Sequence, residues 1–119
     1  MIKNLPAYIS GPITGNRFYE QIFDAAEKTL IKLGWSPELI INPVKLCQQV
    51  GVTHNYAACM AVCLDTMPSS HACLIQLPGW KDSGEALIEY ELAKLRNYYV
   101  FSLVGSTLKA ADELLQEEK

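Results

Sequence analysis

The sequence predicts an α/β domain, a mainly parallel sheet of four to five strands with helices on both faces. Two observations carry the prediction. Short continuous apolar runs alternate along the chain with stretches of ten residues or more whose apolar positions recur at helical spacing. The runs also lack the polar alternation of a sheet with one wet face, as strands buried on both sides should.

Ala7-Tyr8-Ile9-Ser10 is the first strand, closed by Gly11-Pro12. Phe18, Ile22, Ala26, Leu30 and Leu33 follow helical spacing up to Gly34, with Thr14 or Asn16 available as N-cap. Leu39-Ile40-Ile41 is a second strand before Asn42-Pro43, where Asn42 reads equally as a turn residue or a substrate contact. The stretch from Val44 to Val52 is the least regular and is expected to be a mobile flap. Thr53 or Asn55 opens a helix that stops before Pro68. Ala72 to Leu77 is the third strand, Gly84 to about Arg96 a helix, and Tyr99 to Leu103 the fourth strand. Ser106 or Thr107 is expected to cap a final helix ending in Gln116-Glu117-Glu118-Lys119. No repeat or linker divides the chain, so one domain over 1–119 is expected.

Half of the 119 residues are hydrophobic, enough for one packed core. A net charge of −3, with 10 basic residues and no basic run, offers no footprint for a nucleic-acid polymer or an anionic membrane. No apolar stretch reaches the roughly 18 residues of a bilayer span, and the N-terminal apolar segment is too short for a signal peptide. A cytoplasmic protein acting on small molecules is expected. Cys47, Cys59, Cys63 and Cys73 contain no C-x-x-C pair. Cys59 and Cys63 share a helix face where a metal could sit, but reduced core thiols are the favoured reading. His54 and His71 lie outside any regular cysteine pattern, so no metal is expected.

Open α/β sheets bind ligands at the carboxyl ends of their strands, which directs attention to two strand-to-helix turns. Leu77-Pro78-Gly79-Trp80-Lys81-Asp82-Ser83-Gly84 joins an apolar strand to a carboxylate-bearing helix and places Trp80, Asp82, Ser83 and Gly84 at its mouth. Ser10-Gly11-Pro12-Ile13-Thr14-Gly15-Asn16-Arg17 sets glycines, hydroxyls and an arginine before a helix N-terminus, making Gly15 and Arg17 candidates for phosphate binding. The loop is neither a Walker loop nor a strict G-x-G-x-x-G, and its glycines serve a tight turn equally well. On the helix after the second turn, Glu91 has Lys94 as an ordinary surface partner. Glu85 and Glu89 instead stand four apart as like charges, and no lysine follows Glu89 at helical spacing. Such a carboxylate either faces solvent or is held for chemistry, ionised by the helix dipole within an apolar surround.

Tyr8-Ile9-Ser10-Gly11-Pro12, Ile41-Asn42-Pro43 and Leu77-Pro78-Gly79-Trp80 followed by Ser83-Gly84-x-Ala86-x-x-Glu89 together resemble the DUF4406 group of the nucleoside 2-deoxyribosyltransferase-like superfamily, often seen in phages and prophages. The resemblance spans nearly the whole chain. It implies a flavodoxin-like doubly wound sheet, and cleavage or base transfer at the N-glycosidic bond of a deoxynucleoside or its 5′-monophosphate. It also implies a homodimer or higher homo-oligomer and no metal or organic cofactor. Relatives carry a helix glutamate six residues after an Asp or Ser in the turn, which makes Glu89 the nucleophile and Ser83 the turn residue. Serine there is the pattern of the monophosphate hydrolases. Tyr8 would orient Glu89; Gly11, Pro12 and Ser83 would line the sugar or phosphate end; Asn42 and Trp80 would meet the base; Asp82 and Gly84 belong to the same binding turn.

Three positions depart from the pattern. Thr14 stands where the hydrolases carry a loop arginine. A helix aspartate of the transferases, and the acidic residue eight positions after it, correspond here to Cys63 and His71. The alternative expectation is therefore a non-catalytic nucleotide-binding phage or prophage accessory protein.

Overall fold

The computed structural model describes residues 2–52 and 55–110. Thr53, His54 and the expected last helical residues Gln116 to Lys119 lie outside the described residues. The elements are β1 (Ala7–Ser10), α1 (Tyr19–Leu33), β2 (Ile40–Ile41), α2 (Pro43–Val50), α3 (Tyr56–Thr66), β3 (Cys73–Gln76), α4 (Gly84–Leu95), β4 (Tyr99–Val104) and β5 (Thr107–Ala110). The five strands form one sheet in the order β2-β1-β3-β4-β5. β1 to β4 run parallel and β5 is antiparallel to β4. This is the predicted α/β class with flavodoxin-like strand order.

Helices cover both faces. On one, Phe23, Ala26 and Leu30 of α1 pack on Ala7, Ile9, Cys73 and Ile75 of β1 and β3. On the other, Cys63 of α3 and Ala93 of α4 pack on Tyr8 and Leu74. The strand residues alternate between the two clusters with the period of two that a pleat imposes. α2 sits at the β2 edge and reaches both, through Val44 to the first and Cys47 to the second. The chain passes from β1 to β2 on one side and returns to β3 on the other, so a crevice opens between the carboxyl ends of β1 and β3.

Three expectations are corrected. The segment from Val44 to Val52 is mostly helix, not a flap. Asn42 caps α2 by accepting from the Val44 N–H at 3.1 Å, Pro43 occupies the first turn, and Gly51 ends it in the left-handed conformation. Thr107 begins strand β5 and does not cap a helix, because Gly105-Ser106 forms a two-residue hairpin turn that pairs Val104 with Thr107. α1 begins at Tyr19 without a side-chain cap; Asn16 instead accepts from the Phe18 N–H at 3.3 Å, holding the approach to the helix. α3 does open as expected, with Asn55 accepting from the Ala58 N–H at 3.0 Å.

Asn42 also donates to Glu27 of α1 at 3.2 Å. Replacing it with alanine removes both the cap and this link between helices. Asn42→Ala is expected to cost about 1–2 kcal/mol, read as a lower urea midpoint with unchanged slope. An unchanged midpoint would count against the capping role.

Candidate active site

The crevice holds a buried carboxylate. Tyr8 and Ser10 are two apart on β1 and so project to the same face. α4 crosses that face with Ala86, Glu89 and Ala93 turned inward, all three buried. Neither alanine has a side chain beyond Cβ, which lets the helix lie close enough for Glu89 to reach the strand. The Tyr8 hydroxyl donates to Glu89 Oε2, and Ser10 Oγ donates to Oε1 at 2.8 Å.

Glu89 is 4 % exposed. Burial pushes its carboxyl up to about 7; hydrogen bonds from Tyr8 and Ser10 pull it down, and the charge of Glu85 pushes it up. The expectation of a dipole-held anion is revised, because Glu89 lies beyond the first turn of α4, where the dipole fades, and burial outweighs it. Tyr8 is raised well above its ordinary value, by burial and then by the adjacent Glu89 charge, and stays a phenol donor at neutral pH.

Glu89 opens onto a cavity of about 200 Å³. Gly11, Ile13 and Thr14 form one wall, Tyr56, Cys59, Met60 and Cys63 of α3 another, and Glu85 and Pro43 complete it. Gly11 is the close approach in this wall: a Cβ there would lie 2.9 Å from Leu77 Cβ, so only glycine leaves the backbone at the cavity without displacing the core. Glu85 is half-buried. Its Oε1 accepts from the Thr14 N–H at 3.1 Å and its Oε2 from Ser83 Oγ at 3.4 Å. Burial acts to raise its carboxyl, but hydrogen bonds from backbone N–H groups, Thr14 and Ser83 outweigh it and hold Glu85 below its ordinary value. Two carboxylates and no lysine or arginine among the described lining residues suit a reacting centre that gains positive charge.

The structure brings together Glu89, Tyr8 and Gly11. Ser83 is buried beside them as the N-cap of α4, accepting from the Ala86 N–H at 3.2 Å. Gly84 is the exposed first residue of that helix. Asn42 faces a different groove with Glu27 and Lys45. Trp80 and Asp82 line a separate depression at the ends of β3 and β4, and the Trp80 ring packs on Tyr90 at 4.9 Å. Pro12 packs toward Gly79. Gly15 is an exposed turn residue, and exposed Arg17 lies over the Phe18 ring at 5.8 Å.

Sequence reasoning missed Ser10 as a donor, although its spacing from Tyr8 was the available signal. It also assigned Glu85 no partner in the first loop and gave no role to Tyr56 and Met60 of the α3 wall. Cys47 and Cys59 are disulfide-bonded, which corrects the expectation of four reduced thiols; Cys63 and Cys73 are free and buried. The sulfurs of Cys47, Cys59 and Cys63 lie within 4.8 Å of one another, the one such convergence of metal-ligating atoms among the described residues.

The model of the family described as Domain of unknown function (DUF4406) matches residues 5–101. The chain belongs to the DUF4406 family. Every side chain that touches Glu89 through a hydrogen bond lies inside that match, as does the cavity wall. No curated protein and no solved structure matches this DUF4406 chain. No described helix is long and apolar enough to cross a membrane.

Proposed function

We propose that this DUF4406 protein acts on the N-glycosidic bond of 2-deoxyribonucleosides or their 5′-monophosphates, as a member of the nucleoside 2-deoxyribosyltransferase-like superfamily, with Glu89 as nucleophile. The observation that carries the reading is a buried carboxylate, held at both oxygens by Tyr8 and Ser10, at the carboxyl end of β1 and open to a cavity. Ionised Glu89 attacks C1′, the C1′–N bond breaks, and its electron pair leaves with the base. The transition state resembles an oxocarbenium ion, whose charge the two carboxylates oppose. Water or a second base then attacks C1′ of the glycosyl ester and returns the Glu89 carboxylate. These steps call on no metal or organic cofactor.

Glu85 favours the unphosphorylated nucleoside. Its carboxylate already takes the Thr14 N–H and the Ser83 hydroxyl, donors a 5′-phosphate would need, and would repel that phosphate. Ligand pockets commonly enclose roughly 300–1,000 Å³, so a cavity of about 200 Å³ fits a homodimer or higher oligomer in which a second subunit completes the site. The reading places the protein in the cytoplasm with its substrates.

One observation favours the second reading, a non-catalytic nucleotide-binding phage or prophage accessory protein. The α3 wall contributes no carboxylic acid to protonate a departing base, and Asp65 of that helix is exposed. Incubation with a panel of deoxynucleosides and their monophosphates separates the two. Release of free base, with a deoxyribosyl adduct trapped on Glu89 by mass spectrometry, is the expected result. Binding without release from any panel member would establish the accessory role.

A further inference from the structure

Three sulfur atoms that the glycosidic reaction does not use meet where α2 packs on α3. Cys59 and Cys63 stand one helical turn apart, and both line the cavity. Cys47 reaches them from α2, bonded to Cys59 and 3.6 Å from Cys63 Sγ. Metal–sulfur bonds of about 2.3 Å in a tetrahedral site put neighbouring sulfurs roughly 3.8 Å apart. The Cys47–Cys63 separation therefore already matches one edge of such a tetrahedron. All three sulfurs lie within 4.8 Å of one another, and opening the Cys47–Cys59 bond frees Cys59 Sγ to move away to the spacing of the other edges.

We propose that the reduced protein binds a Zn²⁺-class cation through Cys47, Cys59 and Cys63, with the fourth coordination position open toward the cavity. A dithiol reductant delivers two electrons and two protons to the disulfide, leaving two protein thiols and the cyclic disulfide of the reductant. The cation then displaces three thiol protons to bind three thiolates, and water takes the fourth position. Thiolates select borderline and soft cations over magnesium or calcium, which prefer oxygen. The site stands whether or not Glu89 attacks a sugar. Cys73 provides an internal comparison, since it is buried on β3 with its thiol directed at the Ile2 carbonyl at 3.9 Å.

The test uses full-length protein reduced with dithiothreitol, freed of it anaerobically, and titrated with Zn²⁺ against a chromophoric chelator. One Zn²⁺ retained per reduced chain and none per oxidised chain is the expected result. Co²⁺ should give thiolate charge-transfer absorption and the d–d bands of tetrahedral coordination. Cys63→Ser should weaken Zn²⁺ binding by more than the roughly 10–100-fold that loss of a supporting outer-shell partner costs, whereas Cys73→Ser should leave it unchanged. The proposal is overturned if the reduced protein holds no more Zn²⁺ than a variant with serine at all three positions, or if folded Cys63→Ser binds as tightly as the parent. Should Cys63→Ser fail to fold, absence of the Co²⁺ charge-transfer band from the unaltered reduced protein overturns it equally.

Discussion

Glu89→Gln is expected to lower kcat/KM for base release by at least about 10³-fold while making the protein more stable at neutral pH. The first effect follows from loss of the attacking oxygen. The second follows from burial. The carboxyl titrates at about 7 in the fold against an ordinary value of 4.5, so the folded state favours its protonated form. Its stabilising contribution is therefore fully present below about pH 4.5 and is lost as pH rises through about 7. A shift of that size corresponds to roughly 3 kcal/mol. Glutamine stays neutral throughout, so the variant should gain up to about 3 kcal/mol over the parent above pH 7, with the gain vanishing near pH 4. Denaturant unfolding of both proteins across this range, without reductant, checks the effect. Equal pH dependence would show that Glu89 is not desolvated, and unaltered turnover would remove it as nucleophile.

Tyr8→Phe should cost roughly 10–100-fold in kcat/KM at pH 7, the scale of losing a hydrogen bond to a charged group. The diagnostic result is the pH profile. In the parent, activity rises with pH through about 7 as Glu89 ionises. The Tyr8 hydrogen bond lowers the Glu89 value, so its removal moves that rising limb to higher pH and restores part of the rate under alkaline conditions. A uniform loss at every pH would mean that Tyr8 serves packing alone.

The parallel sheet was legible because Ala7 to Ser10 and Cys73 to Gln76 are apolar runs without alternation, and burial on both faces is what that pattern means physically. α2 escaped because Asn42-Pro43 was read as a turn, although asparagine at the cap, proline in the first turn and Gly51 at the end describe a short helix equally well. β5 escaped because Ser106 and Thr107 suit a helix cap as well as a hairpin, and pairing with β4 decided between them. Within the site, Glu89 stood out through its missing partner and through the turn-to-helix resemblance. Of the cysteine convergence, the Cys59–Cys63 pair was legible from its spacing of four, but the third sulfur was not, because Cys47 reaches them only after two helices pack and no sequence spacing encodes that contact. Trp80 and Asp82 show the opposite error. They sit in the right turn but on its far side, since the strand-end loop has two flanks and sequence does not say which one faces the carboxylate.

The two alanines flanking Glu89 carry a consequence of their own. With Ala86 and Ala93 both at 0 % exposure against the sheet, the height at which α4 rides over β1 is set by methyl groups. A bulkier pair would jack the helix upward and part the acid from both hydroxyls while leaving every polar residue intact. The reach of the carboxylate is thus governed by the thinnest side chains in the layer, and chemistry here depends on what those two positions omit.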